Sequence, residues 1–274
     1  MDVSGKTKIT GLFGYPVEHT LSPAMHNAAF KSLGLDICYV PFNVSPEELP
    51  NAVRAVRALN LIGVNITIPH KEKVIPLLDR VSEEASFIGA VNTVVNNEGT
   101  LTGHNTDGRG FISSLTEKGV LLDNKEILVI GAGGASRAIS YYLSEKASKL
   151  FLYDVDKPKA ERLISDLKKI RNNVFRLDDT KDIGTPNIII NATPLGLKQE
   201  DPLPLNPDFI TPDTVVCDLI YKKTKLLQEA DNRGAVTLDG LGMLLWQGVL
   251  AFELWTGFKP PVDLMRKALL SNIR

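Results

Sequence analysis

The sequence has few cysteines, almost no net charge and no long hydrophobic run, and each shortage excludes a class of protein. Only two cysteines occur in 274 residues, which excludes a disulfide framework and is typical of a reduced cytosolic protein. The 31 basic and 32 acidic side chains nearly cancel, so no broad basic surface for nucleic acid is expected. The longest apolar run, residues 241–252, is too short to span a bilayer, and residues 1–6 lack the apolar core of a secretion signal. The four histidines lack the close spacing of zinc ligands. We therefore expect a cytoplasmic protein that binds no metal, nucleic acid or membrane.

What is present is an ordinary globular composition in which strand-like and helix-like segments alternate. This alternation predicts an α/β fold with mainly parallel sheets covered by helices. One helix is predicted to start with Ser22 as its N-cap, and a second is predicted from the capping-box spacing of residues 45–48. The chain is expected to form two domains, residues 1–107 and 108–239, with residues 240–274 packing back on the first.

A glycine-rich loop follows a short apolar strand in the second predicted domain. The loop opens a helix, which is the arrangement of a dinucleotide-binding site. Asp154 ends the next strand, where a carboxylate can hold the hydroxyls of an adenine ribose. Ser136 stands at the third fingerprint position instead of glycine, so a methyltransferase-like nucleotide fold remains an alternative. The loop residues expected to hold a pyrophosphate are Gly131, Ala132, Gly133, Gly134 and Ala135.

The first predicted domain carries several polar motifs. Thr20 and Ser22 present two hydroxyls beside a helix start, which suits a carboxylate, although the spacing alone favours Ser22 as a simple helix cap. Lys71 follows a strand end, where ligands of parallel sheets bind. Asn92 and Asp107 lie beside glycines, and each is also compatible with ordinary turn chemistry.

Taken together, the motifs NITIPHK, GAVNT, GHNTDG and GAGGASRA, in this order, resemble the shikimate dehydrogenase family, which includes quinate/shikimate dehydrogenases. The resemblance covers nearly the whole chain and implies a substrate domain, a Rossmann-like cofactor domain and a cleft between them. It also implies reversible, nicotinamide-dependent reduction of 3-dehydroshikimate to shikimate, in the biosynthesis of chorismate and the aromatic amino acids.

The resemblance further implies a role for each motif residue. Lys71 transfers the proton, with Asp107 beside it, and we expect Lys71 to act mainly as acid and electrostatic stabiliser while Asp107 orients it. The residues implied to bind substrate are Thr20 and Ser22 at the carboxylate, Thr67, Asn92, Asp107 and Gln247 at the hydroxyls and carbonyl, and Tyr221 closing from the cofactor domain. Leu219 and Gly240 are implied to lie along the nicotinamide.

Two positions depart from the family pattern. Thr20 stands where many members have serine, which leaves acceptance of quinate open. The family default is NADP, but the stretch after the second Rossmann strand is Asp154-Val155-Asp156-Lys157 and has no arginine for a 2′-phosphate. An aspartate there can bond a free 2′-hydroxyl and repels a phosphate, so we expect NAD preference or dual use unless Lys157 and Lys159 compensate.

Three alternatives therefore remain besides the biosynthetic enzyme. The first is an NAD-dependent quinate/shikimate dehydrogenase of catabolism. The second is a non-catalytic, nucleotide-sensing protein on the same fold. The third, a methyltransferase, leaves the polar motifs of the first domain without an explanation. The expected ligands are small molecules, and the expected assembly is a monomer or a homodimer.

Overall fold

The computed structural model describes residues 3–273, apart from the side chains at 181 and 182. The chain divides into two compact units. Unit 1 comprises Met1–Thr106 and Leu245–Arg274, and unit 2 comprises Asp107–Leu244. Both units are built from strands and helices in alternation, which confirms the predicted α/β class.

The N-terminal part of unit 1 forms a mixed six-stranded sheet in the order β2-β1-β3-β5-β6-β4. Its elements are β1 (Lys8–Gly14), α1 (Ser22–Ser32), β2 (Ile37–Asn43), α2 (Leu49–Ala58), β3 (Gly63–Ile66), β4 (Arg80–Val81), α3 (Glu83–Ile88), β5 (Thr93–Asn97) and β6 (Thr100–His104). Strands β1 and β3 are parallel, and β5 is antiparallel to both β3 and β6. The ends of β1, β3 and β6 and the start of β5 therefore lie at one edge of the sheet.

A β-hairpin is formed by β5 and β6. Its two-residue loop, Glu98 and Gly99, has φ values of 51° and 88°. Two successive positive φ angles are typical of the turn that matches the twist of a hairpin. This tight turn returns β6 to the sheet edge at which β5 begins.

Two predicted helix starts are wrong. The N-cap of α1 is Leu21, and Ser22 is the first helical residue. Helix α2 begins at Leu49 and not after Ser45, with Pro50 in its first turn. A helix begun at Ser45 would place the proline ring against a carbonyl of the preceding turn, whereas the first turn tolerates proline.

Unit 2 is a fully parallel sheet in the order β12-β11-β10-β7-β8-β9. Its elements are α4 (Asp107–Glu117), β7 (Glu126–Ile130), α5 (Gly134–Lys146), β8 (Lys149–Tyr153), α6 (Lys157–Lys168), β9 (Val174–Arg176), β10 (Ile188–Asn191), β11 (Val215–Asp218), α7 (Lys225–Asn232) and β12 (Val236–Leu238). Counted from β7, this is the strand order of the doubly wound dinucleotide-binding fold. The order reverses between β7 and β10, which is where such sheets bind ligands.

Two C-terminal helices, α8 (Leu241–Thr256) and α9 (Val262–Leu270), complete the chain. From Leu245 onward α8 belongs to unit 1, as does α9. The indole Nε1 of Trp255 donates to the carbonyl of Val94 at 3.0 Å, which ties α8 to the sheet. Gly248 approaches Met25 of α1 so closely that an added Cβ would lie 2.4 Å from its Cε. Across the described part of the chain, no helix has both the length and the apolar character needed to cross a membrane.

Candidate functional site

The polar motifs of unit 1 gather at one edge of its sheet. Thr20 follows β1, and Thr67 and Lys71 follow β3. Asn92 immediately precedes β5, which runs in the opposite direction and so starts at the same edge. Gly14, the last residue of β1, lies against Thr67, because an added Cβ would come within 2.3 Å of the Thr67 Cγ2 atom. The sheet thus brings three of the predicted polar motifs to one edge.

The two hydroxyls proposed for a carboxylate lie at the start of α1. The helix has no side-chain cap, so the interpretation of Ser22 as a simple cap is wrong. The Ser22 side chain instead hydrogen-bonds the hydroxyl of Tyr39, and its main-chain N–H donates to the Thr20 Oγ1 at 3.3 Å. Because the Thr20 oxygen accepts this bond, its own proton remains available to a ligand.

Tyr39 begins a buried chain of hydrogen bonds that ends at Asn92. The Tyr39 hydroxyl donates to the Asn65 Oδ1 at 2.9 Å. The Asn65 Nδ2 donates to the Asn92 carbonyl and to the Thr93 Oγ1, each at 3.1 Å. A carbonyl can only accept, so these bonds fix the orientation of the Asn65 amide. Neither Tyr39 nor Thr93 was predicted as part of the site, since each bonds Asn65, which lies 26 or more residues away in sequence.

The orientation of the Asn92 amide is fixed in the same way. Its Oδ1 accepts from the main-chain N–H of Thr106 at 2.8 Å and from the Thr93 Oγ1 at 3.0 Å. Its Nδ2 donates to the Thr106 Oγ1 at 2.9 Å. The oxygen of the Asn92 amide is therefore engaged by these donors, and the amide has one orientation. Thr106, which the sequence analysis did not single out, belongs to the GHNTDG motif and directly precedes Asp107.

The segment that carries Lys71 is anchored by its neighbour. His70 is fully buried, and its Nε2 lies 2.7 Å from the Val44 carbonyl. The Lys71 carbonyl accepts from the N–H of Val91 at 2.8 Å, which joins the Lys71 loop to the segment before Asn92. Lys71 itself is half-buried. No group of histidine, cysteine and acidic side chains among the described residues has the arrangement of a metal site.

The glycine loop of unit 2 leaves open space in front of α5. Gly131 has a φ of 105°, and an added Cβ would lie 2.8 Å from the Ala192 carbonyl oxygen after β10. Above Gly133 the nearest atom to an added Cβ is the Lys159 Nζ at 3.9 Å, and around Gly134 nothing lies within 4 Å. Helix α5 has no side-chain cap, so its first N–H groups face this space. Uncapped N–H groups beside open backbone suit a pyrophosphate.

Asp154 lies beside the glycine loop. Its Oδ2 accepts from the N–H of Ala132 at 2.6 Å, and its Oδ1 accepts from the N–H of Asp156 at 2.9 Å. Val155 is 86% exposed and contributes no charge. Lys157 lies 3.4 Å from the Asp178 carboxylate, which partly neutralises it.

The remaining predicted residues lie on four different segments of the chain. Leu219 and Gly240 are in contact, since an added Cβ on Gly240 would come within 2.2 Å of the Leu219 carbonyl oxygen. Tyr221 is 55% exposed. Asp107 is the first residue of α4, and Gln247 lies half-buried on α8.

The comparison with known proteins identifies the family. Residues 12–94 match the model of the shikimate dehydrogenase substrate binding domain, and residues 240–270 match that of the shikimate 5'-dehydrogenase C-terminal domain. The chain is 46% identical to the shikimate dehydrogenase (NADP(+)) of Desulforamulus reducens, covering 99% of this chain and 97% of that one.

Two solved structures also match over nearly their full lengths. Shikimate 5-dehydrogenase from Listeria monocytogenes, in complex with shikimate and NAD, is 38% identical, with a TM-score of 0.91 and coverage of 97% of this chain and 98% of that one. The Thermus thermophilus enzyme, in complex with NADP(H) and shikimate, is 37% identical, with a TM-score of 0.88 and coverage of 97% and 100%. The chain therefore belongs to the shikimate dehydrogenase family.

Proposed function

We propose that this chain catalyses the reversible reduction of 3-dehydroshikimate to shikimate with a nicotinamide dinucleotide, in the biosynthesis of aromatic amino acids. The observation that carries the proposal is the edge of the unit 1 sheet, where hydroxyls, an oriented amide and Lys71 lie at the ends of neighbouring strands. A small acid with several hydroxyls needs hydrogen-bonding groups of these kinds to bind it. The reaction itself is inferred from membership of the family.

In this proposal the two units bind different ligands. Unit 1 binds the substrate, in line with the match of residues 12–94 to a substrate binding domain. Unit 2 binds the dinucleotide, because its strand order and open glycine loop fit a pyrophosphate. In this proposal the substrate domain comprises residues 1–107 with residues 240–274, and the cofactor domain comprises residues 108–239.

Substrate binding rests on complementary donors and acceptors. The hydroxyls of Thr20 and Ser22 hold the carboxylate, and the Asn92 Nδ2 donates to a substrate oxygen. Thr67, Asp107 and Gln247 bind the remaining oxygens, and Tyr221 covers the substrate. Each amide and hydroxyl that binds an oxygen in a fixed orientation lowers the entropy cost of reaching the reactive geometry.

The proton chemistry rests on Lys71. The cofactor, when bound, supplies or accepts the hydride. The Lys71 ammonium donates a proton to the substrate oxygen as that oxygen becomes an alkoxide, and the same charge stabilises the developing negative charge. Asp107 orients Lys71 and the substrate. In the oxidative direction the amine takes the proton back.

The cofactor contacts are assigned within unit 2. Gly131–Ala135 hold the pyrophosphate, and Leu219 and Gly240 lie along the nicotinamide. For the adenine ribose we propose a preference for NAD, or use of both cofactors. The negative charge of Asp154, the neutral Val155 and the engagement of Lys157 by Asp178 all disfavour a 2′-phosphate. One relative is named for NADP(+), and the Listeria structure contains NAD, so both cofactors occur among similar proteins.

Initial rates at 340 nm test the proposal. Shikimate and quinate are each paired with NAD and NADP, and kcat/KM is compared for the four combinations. Turnover of shikimate supports the function, and dominance of NAD supports the cofactor assignment. Efficient turnover of quinate with NAD would favour the catabolic alternative. Tight dinucleotide binding with no turnover of either acid would overturn the enzymatic assignment in favour of a nucleotide sensor.

A further inference from the structure

Unit 2 contains a buried carboxylate that the proposed chemistry does not use. Asp218, the last residue of β11, is only 1% exposed. Burial raises the pKa of its carboxyl group, although its hydrogen bonds oppose that effect. Its three donors among the described residues are an amide, a hydroxyl and a main-chain N–H, and none of them is a cation. A buried charge is costly, so its position calls for a specific role.

The carboxylate joins three segments at the carboxyl edge of the unit 2 sheet. One oxygen accepts from the Asn191 Nδ2 at 3.1 Å and from the Thr224 Oγ1 at 2.7 Å. The other accepts from the N–H of Ile220 at 3.1 Å. Asn191 ends β10, and Thr224 is the N-cap of α7. Asp218 thus links the end of β10, the segment after β11 and the start of α7.

Asn191 extends the same network into the turn after β10. Its Oδ1 accepts both the N–H of Thr193, at 3.1 Å, and the Thr193 Oγ1, at 2.7 Å. Its Nδ2 also donates to the Leu195 carbonyl at 3.0 Å. Every polar atom of the Asn191 side chain is therefore engaged, and its amide cannot flip without losing these bonds.

The segment fixed most directly by this network is Leu219–Tyr221. The N–H of Leu219 donates to the Asn191 carbonyl at 3.0 Å, and the N–H of Ile220 donates to Asp218. The N–H of Gly240 donates to the Ile220 carbonyl at 3.1 Å. The main chain of this segment is therefore held from β10, from β11 and from the segment after β12.

We propose that Asp218 is a positioning residue for the nicotinamide ring, acting through the main chain of Leu219–Tyr221. This inference rests on the proposed function, which places Leu219 and Gly240 along the nicotinamide. The Asp218 carboxylate holds the Ile220 N–H, so Leu219 keeps its contact with Gly240. When that hydrogen bond is lost, the main chain of Leu219–Tyr221, against which the nicotinamide ring lies, moves. The glycine loop and Asp154 stay in place.

Asp218→Asn is the first test, because the two side chains have nearly the same shape. The new NH2 group faces donors that need an acceptor, so at least one of the three bonds is lost. We expect kcat for shikimate to fall by about 10- to 100-fold, as for other small misplacements of reacting groups. The dissociation constant of NAD or NADP, measured by calorimetry, should change by less than about threefold, since adenine and pyrophosphate contacts are retained.

Two further readouts report on the nicotinamide ring itself. The deuterium isotope effect on kcat should increase in Asp218→Asn, because hydride transfer becomes slower than the other steps. The fluorescence of bound NADH or NADPH should differ from that of the wild type, because the surroundings of the ring change. The fluorescence measurement needs no turnover, so it tests Asp218 even if the chain fails to oxidise shikimate. Absence of wild-type turnover would overturn the proposed function alone.

Val216→Ala is the matched control. Val216 is fully buried on the same strand, and its truncation lowers stability without touching the carboxylate. Its kcat, isotope effect and bound-cofactor fluorescence should stay at the wild-type values. If Asp218→Asn does not fold, Thr224→Val removes one donor to the carboxylate and Thr224→Ser retains it. Equal effects of Asp218→Asn and Val216→Ala, or of the two Thr224 variants, would overturn the proposal, as would unchanged kcat and fluorescence in Asp218→Asn.

Discussion

The carboxylate of Asp154 accepts a hydrogen bond of 2.6 Å from the main-chain N–H of Ala132. This bond connects Asp154, the residue directly after β8, to the glycine loop that follows β7. The second carboxylate oxygen accepts the N–H of Asp156, so the side chain is held on both sides. A fixed negative charge at this place favours a ribose hydroxyl over a phosphate.

Val155→Arg should shift the chain toward NADP. Val155 is 86% exposed, so the substitution costs no packing and places a guanidinium next to the proposed ribose site. Arginine binds phosphate through paired, charge-assisted hydrogen bonds of about 1.5–3 kcal/mol, so kcat/KM for NADP should rise by about 10-fold or more. The value for NAD should change little. The ratio of the two kcat/KM values is measured with shikimate at saturation.

Val155→Gln serves as the control for that substitution, because it adds length and polarity without charge. It should leave the cofactor ratio near the wild-type value. A wild-type chain that already prefers NADP strongly would contradict our assignment, and would point to Lys157, Lys159 or Arg137 as the phosphate ligand.

Lys71→Ala should abolish most of the turnover. Removal of a group that transfers a proton in the transition state typically costs about 10²- to 10⁴-fold in rate. We expect that loss in kcat, with the dissociation constant of the cofactor unchanged. Lys73→Ala is a matched control, because Lys73 lies two residues away, is exposed and has no role in the proposal. Near-normal turnover in Lys71→Ala would exclude Lys71 as the proton donor.

Thr20→Val should weaken substrate binding while leaving the fold intact. The substitution keeps the shape of the side chain and removes the hydroxyl proposed to bind the carboxylate. A hydrogen bond to a charged group contributes about 1.5–3 kcal/mol, so the KM for shikimate should rise by roughly 10- to 100-fold. Within the described part of the chain its oxygen accepts one long bond, from the Ser22 N–H at 3.3 Å, so the midpoint of urea unfolding should barely change.

Thr20→Ser separates the hydroxyl from the methyl group. It keeps the donor and should retain the wild-type KM for shikimate. Any change in the ratio of quinate to shikimate turnover in this variant then reports on the methyl group alone. Equal KM values in Thr20→Val and the wild type would remove Thr20 from the carboxylate site.

The long elements of the fold were predictable, whereas the short ones were not. The strand, glycine loop and helix from Glu126 to Lys146 follow from local periodicity and from the glycines themselves. Strands such as Arg80–Val81 and Val236–Leu238 contain two or three residues, which is too few to show an alternating pattern. The start of α2 was predicted too early. The capping pattern at residues 45–48 favours a helix from Ser45, but Pro50 is tolerated only in the first turn of a helix.

The parts of the site that lie within a single sequence motif were predictable. The role of Ser22 was not, because its partner Tyr39 lies on the neighbouring strand and the local pattern resembled a helix cap. Asp218 was missed for the same reason, since its partner Asn191 comes from another strand. Such contacts depend on strand order, and one sequence does not specify strand order directly.

His26 makes a last prediction, about stability and pH. It lies on α1, fully buried, and stacks on Tyr39 with ring centroids 4.6 Å apart and an interplanar angle of 6°. Neither ring nitrogen has a hydrogen-bond partner in the described structure. Burial lowers the pKa of His26 from 6.5 to about 3, because the apolar surroundings disfavour the imidazolium.

The direction of the pH effect follows from proton binding. Below pH 6.5 the unfolded chain takes up a proton at His26 that the folded chain does not, so acid favours unfolding. The contribution of neutral His26 is complete above pH 6.5 and is lost as the pH falls toward 3, by about 1.4 kcal/mol per pH unit. His26→Phe removes this titration and keeps an aromatic ring in the stack. No hydrogen bond is lost in the substitution.

Urea unfolding at pH 8.0 and at pH 4.5 measures the difference. We expect the larger phenyl ring of His26→Phe to cost about 1–3 kcal/mol at every pH, because it overpacks a filled site. Relative to the wild type, the variant should gain about 2–3 kcal/mol between pH 8.0 and pH 4.5, the integral of the slope between pH 6.5 and 4.5. His19→Phe is the matched control for loss of a histidine, because His19 is exposed. Parallel pH profiles of the wild type and His26→Phe would show that His26 is protonated in the folded chain, and so that α1 packs less tightly against Tyr39 than the stacking distance indicates.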